Sequence, residues 1–163
     1  MLTYSIEDEL YQKGYTTVAG IDEAGRGPLC GPVVAAACIL PMGLVIEGLN
    51  DSKKLSEKKR EALFEEIKAN AMAYSIAQAD VEEINHTDIL SATMLAMRRA
   101  VEGLSVKPDF LLIDGNVARG FSLPCRTVIK GDATSPNIAA ASVLAKVTRD
   151  RLCLELDRQY PQY

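Results

Sequence analysis

At 163 residues, 48% of them hydrophobic and 25% charged, the chain is long enough to bury a real core as one domain spanning 1–163, and its apolar runs are too short to cross a bilayer. Aromatic residues make up only 6% and tryptophan is absent, so the core must be aliphatic and rich in alanine. A net charge of −4 excludes a generally basic nucleic-acid binder, although carboxylates gathered for a metal count as negative until a cation neutralises them.

The amino end has neither the basic region nor the apolar run of a secretory signal. The expectation is a cytoplasmic protein with no membrane partner and no obligate protein partner. Cysteines stand at 30, 38, 125 and 153 with no Cys-x-x-Cys pair, and the single histidine, His86, is near none of them in sequence. Zinc is therefore not the expected metal, and four reduced thiols are the simplest account. Cys30 reads as a small buried hydrophobe rather than a nucleophile.

In chain order, Leu2, Ile6, Leu10 and Tyr11 are spaced for one face of a short amphipathic helix ending at Gly14. A buried strand follows over about residues 16–23 and a second over about 32–40, where an unbroken apolar run from Val33 to Leu40 implies burial on both faces. Residues 41–50 read as extended or hairpin, and 50–55 as a polar loop. Ser56 caps a helix running to about Ala71, with Leu63, Phe64 and Ile67 on its buried side. Residues 72–79 alternate as a strand, and Asp80 to Glu83 has the reciprocal pattern of a capping box. From Asp88 a longer helix carries Leu90, Met94, Met97, Val101 and Leu104 on one face, stopped by Gly103 and Pro108. Asp109 to Ile113 is a strand ending at Asp114, and a short strand covers about 124–129. Ser135-Pro136 then opens a helix to about Arg158. Strands with intervening helices make an α/β layered fold.

Acids recur where apolar strands stop. Val18 to Ile21 ends in Asp22-Glu23, the strand to Ile113 ends in Asp114, and Asp132 follows the next strand in Lys130-Gly131-Asp132. An acidic surface turn accounts for the first pair taken alone; the further acids favour a shared cation. Side chains alternate along a strand, so Glu23 is expected where the strand breaks. If the strands of Asp22 and Asp114 are neighbours, about 4.8 Å apart, their carboxylates can bridge two cations about 3.5–4 Å apart, which activate water on one side of a phosphodiester and stabilise the departing oxygen on the other. All-oxygen ligation suits magnesium or manganese. Gly25-Arg26-Gly27 then supplies free main-chain N–H groups and a guanidinium fork for an anion, with Lys53, Lys54, Lys58, Lys59 and Arg60 adding positive charge. The Gly-x-x-x-x-Gly-Lys-Ser/Thr pattern of a P-loop is missing.

Val18-Ala19-Gly20-Ile21-Asp22-Glu23-Ala24-Gly25-Arg26-Gly27-Pro28, Asn50-Asp51-Ser52-Lys53-Lys54-Leu55, Leu112-Ile113-Asp114-Gly115-Asn116, Lys130-Gly131-Asp132 and the block from Ile138 to Asp150 together resemble ribonuclease HII, in that family's order. The resemblance implies a ribonuclease H-like fold with a mixed central sheet flanked by helices. It implies endonucleolytic cleavage of RNA in RNA–DNA hybrids, and cutting on the 5′ side of ribonucleotides embedded in duplex DNA to leave a 3′-hydroxyl and a 5′-phosphate. A related nuclease acting on DNA alone shares the carboxylates but does not need to read a 2′-hydroxyl.

By the same resemblance, Asp22, Glu23, Asp114 and Asp132 are the catalytic residues and ligands of Mn2+ or Mg2+. Gly25, Arg26 and Gly27 read the ribose 2′-hydroxyl, Lys53 holds a phosphate, and Ser142 and Lys146 line the helix face towards the site. Asp150 competes with Asp132 for the fourth ligand position. It lies about 21 Å along its helix from Pro136, at 1.5 Å per residue, which favours Asp132 and leaves Asp150 as a charge partner for Arg149 or Arg151. The family also implies further helix and a stacking tyrosine at the carboxyl end, a role that Tyr160 and Tyr163 are not assigned; the chain resembles a form lacking that segment.

Overall fold

The computed structural model describes residues 2–25 and 31–159. Its strands are β1 (Val18–Ala24), β2 (Val33–Ile39), β3 (Ala73–Ala79), β4 (Phe110–Asp114) and β5 (Cys125–Val128). Its helices are α1 (Ser5–Gln12), α2 (Glu57–Asn70), α3 (Val81–His86), α4 (Ile89–Glu102) and α5 (Pro136–Gln159). The strands make one mixed sheet in the order β3-β2-β1-β4-β5: β1, β2 and β3 run antiparallel, while β4 and β5 lie parallel to β1 and to each other.

The two faces of the sheet collect different helices. Ala19, Ile21, Ala35, Ala37, Leu111 and Ile113 pack towards Met94, Met97 and Ala100 of α4. Intervening residues on the same strands point the other way: Val34, Ala36 and Cys38 meet Ala140, Ala141 and Leu144 of α5 and Phe64 of α2. Ile6 and Leu10 of α1 join Val18, Leu112 and Ile138 on that side. This alternation makes every residue of β2 buried, as its unbroken apolar run predicts.

Helix α5 packs tightly on the sheet at Gly20. A methyl group there would lie 2.2 Å from the Asn137 carbonyl carbon and 2.3 Å from the Ile138 nitrogen, so only hydrogen fits between strand and helix.

Local signals set the element ends. Ser56 Oγ accepts from the Lys59 N–H at the start of α2, and Asp80 with Glu83 forms the capping box of α3. Asp88 caps α4 through the Ser91 N–H. Residues 41–50 depart from the extended reading: after turns at Gly43 and Gly48, both at positive φ, a 3₁₀ turn spans Leu49–Lys54. Leu49 is buried there, and that tertiary contact selects a coiled conformation over the expected hairpin and polar loop. Cys38 is a buried thiol and Cys125 an exposed one, but Cys153 is disulfide-bonded, so the expectation of four reduced thiols does not hold. Cys30, Tyr160 and Tyr163 lie outside the described residues.

Glu83 also ties α3 to α4 by a two-point contact with Arg99, at 2.6 and 2.8 Å. The Arg99 hydrogen bonds, and then the Asp80 N–H, pull the Glu83 carboxyl down from 4.5 to about 2. A lowered acid stabilises the fold above its unfolded value and ceases to do so as pH falls through its folded one. Glu83→Gln is therefore expected to melt slightly below the parent at neutral pH, with the gap closing between pH 4.5 and about 2 in thermal melts.

Candidate active site

Parallel pairing of β1 with β4 sets Ile21 beside Ile113. The next residues in each strand, Asp22 and Asp114, therefore stand at adjoining strand ends, on the face that Gly20 and Leu112 turn towards α5. Asp22 is only 5% exposed.

Glu23 reaches the same place by a different route from the one its sequence suggests. The strand does not break at Glu23; β1 continues to Ala24, with Glu23 opposite Ala35 and Ala24 opposite Val34. β4, however, has no pairing with β1 beyond Ile21, and there the longer Glu23 side chain brings its oxygen to those of Asp22 and Asp114. The Glu23 N–H donates to Asp22 Oδ1 at 2.8 Å, and oxygen atoms from Asp22, Glu23 and Asp114 all lie within 4.8 Å of one another.

Burial raises the Asp22 carboxyl well above the usual carboxylate range, and the negative charges of Glu23 and Asp114 add to the shift. A divalent cation relieves both penalties, and this all-carboxylate donor set fits a hard, oxygen-seeking ion.

Asp132 arrives through its main chain. Lys130 adopts a left-handed φ of 55°, and a 3₁₀ turn over Gly131–Ala133 follows. The Asp132 N–H donates to Asp114 Oδ1 at 3.3 Å. A side chain at residue 131 would meet Asp114 Oδ1 at 3.2 Å and Ile138 Cδ1 at 2.5 Å, so glycine there permits the approach. The Asp132 carboxylate pairs with Lys53 Nζ at 2.7 Å, which raises the Lys53 ammonium from its ordinary value through that hydrogen bond and charge; Asp114 and Asp22 contribute less.

Lys53 also borders a pocket lined by Ser52, Arg60, Ser142, Val143 and Lys146. Ser142 and Lys146 are four residues apart on α5 and share one helix face. Thus Lys53, Ser142 and Lys146 gather at one margin of the acids. Gly25 is the one described residue of Gly25-Arg26-Gly27. Its φ is +106°, and a side chain there would lie 2.3 Å from Arg149 Nε, so Arg149 packs on its main chain. Arg26 and Gly27 lie outside the described residues.

The sequence gives Arg60 no individual role, and Arg149 only a possible pairing with Asp150. Arg60 stands out in the sequence only as part of a run of positive charge. Asp150 is a charge partner, but of Arg60 at 3.7 Å, not of Arg149 or Arg151. Adjacent helical residues diverge by about 100° and cannot face each other; Arg151 instead pairs with Glu61 and lies over the Phe64 ring.

A mixed five-stranded sheet flanked by helices, with carboxylates at the adjoining ends of two parallel strands, has the ribonuclease H-like α/β fold. The chain belongs to the ribonuclease HII family, whose model matches residues 19–163. It is 57% identical over 157 residues to the ribonuclease HII of Desulfitobacterium hafniense, covering 96% of this chain and 60% of that protein. With the ribonuclease HII of Myxococcus xanthus, identity is 58% over 158 residues, covering 96% of this chain and 54% of that one. The chain thus spans little more than half the length of these curated relatives. The crystal structure of ribonuclease H2 from Pyrococcus horikoshii superposes with a TM-score of 0.79 at 29% identity, over 89% of this chain and 77% of that one.

Proposed function

We propose that this chain carries the catalytic centre of an endoribonuclease that hydrolyses the RNA strand of RNA–DNA hybrids and cuts 5′ of ribonucleotides embedded in duplex DNA, using Mn2+ or Mg2+. The observation that carries the proposal is the convergence of Asp22, Glu23 and Asp114 within 4.8 Å, with Asp22 buried. No side-chain nucleophile is needed for this chemistry. A bound divalent pair would supply the activated water and neutralise the departing 3′-oxygen, leaving a 3′-hydroxyl and a 5′-phosphate.

The protein's part is to hold charge in place. Asp22, Glu23 and Asp114 present their oxygens to the metal from a rigid sheet end, and Asp132 completes the ligand set from the turn before α5. The pairing of Lys53 with Asp132 keeps a cation beside the site, suited to a substrate phosphate. Ser142 and Lys146, on the shared face of α5, extend that contact along the nucleic-acid backbone. Gly25, Arg26 and Gly27 read the ribose: a 2′-hydroxyl distinguishes RNA at a given position, and glycines allow the main chain to approach it closely.

The test compares a DNA duplex carrying one ribonucleotide with its all-DNA twin, each with Mn2+, with Mg2+ and with chelator. Cleavage is expected only of the ribonucleotide duplex and only with metal, with products ending in a 3′-hydroxyl and a 5′-phosphate. Equal cutting of both duplexes would instead mark a DNA nuclease that does not read the 2′-hydroxyl.

A further inference from the structure

Glu7 is fully buried, a rare position for a carboxylate, and the proposed cleavage chemistry gives it no task. Its Oε2 accepts from Ser135 Oγ at 2.6 Å and from Asn137 Nδ2 at 2.9 Å, across 128 and 130 residues of sequence. Ser135 Oγ accepts from the Ile138 N–H at 3.3 Å, so Glu7 grips the capped first turn of α5. Its carboxyl oxygen faces the amino end of that helix, the positive end of its dipole.

Two lines of contact run from this grip to the acids. On one side, Asn137 Oδ1 accepts from the Leu40 N–H at 2.7 Å, while the Asn137 main chain lies against Gly20, two residues before Asp22. On the other side, the Ser135 N–H donates to the Gly131 carbonyl at 2.7 Å. The turn beginning at Gly131 delivers the Asp132 N–H to Asp114. Glu7 therefore sits where the start of α5, the strand of Asp22 and the turn of Asp132 are fastened together.

We propose that Glu7 is a positioning residue for the metal site, acting through Ser135 and Asn137 to hold Asp132 in register with Asp114 and Asp22. This rests on the reading of Asp132 as a metal ligand. Partners that orient ligands typically change metal affinity by about 10–100-fold when removed.

The test measures Mn2+ binding to the folded full chain by titration calorimetry, with folding checked by circular dichroism. Glu7→Ala is expected to weaken binding about ten-fold, at the lower end of that range, and Glu7→Gln, whose amide oxygen can accept from both donors, to restore most of it. Ser135→Ala removes one link without emptying the Glu7 position, and decides the matter if Glu7→Ala does not fold; its expected loss is about three-fold, since one of the two hydrogen bonds remains. In an Asp132→Asn background, Glu7→Ala should add little, because both changes disturb the same ligand. Parental Mn2+ affinity in a folded Glu7→Ala or Ser135→Ala variant overturns the proposal. So does a Glu7 effect that persists undiminished in the Asp132→Asn background. A parent that binds Mn2+ but leaves the ribonucleotide duplex uncut would instead refute the nuclease reading, so the two failures are distinguishable.

Discussion

Asp22→Asn is expected to abolish metal-dependent cleavage of a ribonucleotide-containing duplex while leaving the protein folded. Asparagine has nearly the same shape and can still accept the Glu23 N–H now bonded to Asp22 Oδ1, so the strand end keeps its conformation. What disappears is the buried negative charge that the proposed metal centre is built around. A loss of at least about a thousand-fold, roughly 4 kcal/mol of barrier, is expected in single-turnover cleavage at saturating substrate and metal.

Stability should move the other way or stay put. Burial and two neighbouring carboxylates make the ionised form of Asp22 unfavourable, and a neutral amide removes that repulsion. Thermal melts without metal are expected to show Asp22→Asn at least as stable as the parent, as is common where function holds like charges together. Cleavage by the folded variant at the parental rate would remove Asp22 from the reaction.

Gly20→Ala should give the largest loss of stability. The added methyl would sit 2.2 Å from a main-chain carbon of Asn137 and 2.3 Å from the Ile138 nitrogen. Neither atom can yield cheaply, because the same turn of α5 is held by the Asn137 bond to the Leu40 N–H and by Glu7. Helix and strand must separate, opening the alanine-lined contact between β2 and α5. We expect a cost of about 3 kcal/mol or more, since rigid main chain cannot adapt as a side chain would. In a domain of this size that lowers the melting temperature by about 6–12 °C. An urea midpoint equal to the parent's would mean that α5 lies further from β1 than described.

The features readable in the sequence were those set by local chemistry. Asp80, Asp88 and Ser56 announce their helices because a cap needs only the next three residues. Asp22 and Asp114 stood out because an apolar strand rarely stops on an acid without cause, and their strands proved to be neighbours. The readings that failed depended on distant contacts. The 3₁₀ turn at Leu49–Lys54 is chosen by burial of Leu49, and the partner of Asp150 lies on another helix. Glu23 lies not at a broken strand but on a continuing one, just beyond the last β1–β4 pair. Glu7 gave no local sign at all, since its hydrogen-bond partners are 128 and 130 residues away.

The central place of β1 has one more effect. With β2 on one flank, β4 on the other and α5 across its face, the strand bearing Asp22 is paired on both edges at Gly20 and Ile21, immediately before the carboxylate. Many reactive groups ride on loops that open long before the rest of a protein does. Here the carboxylate follows directly on a buried segment at the centre of the sheet, so its alignment is expected to persist until the sheet itself opens.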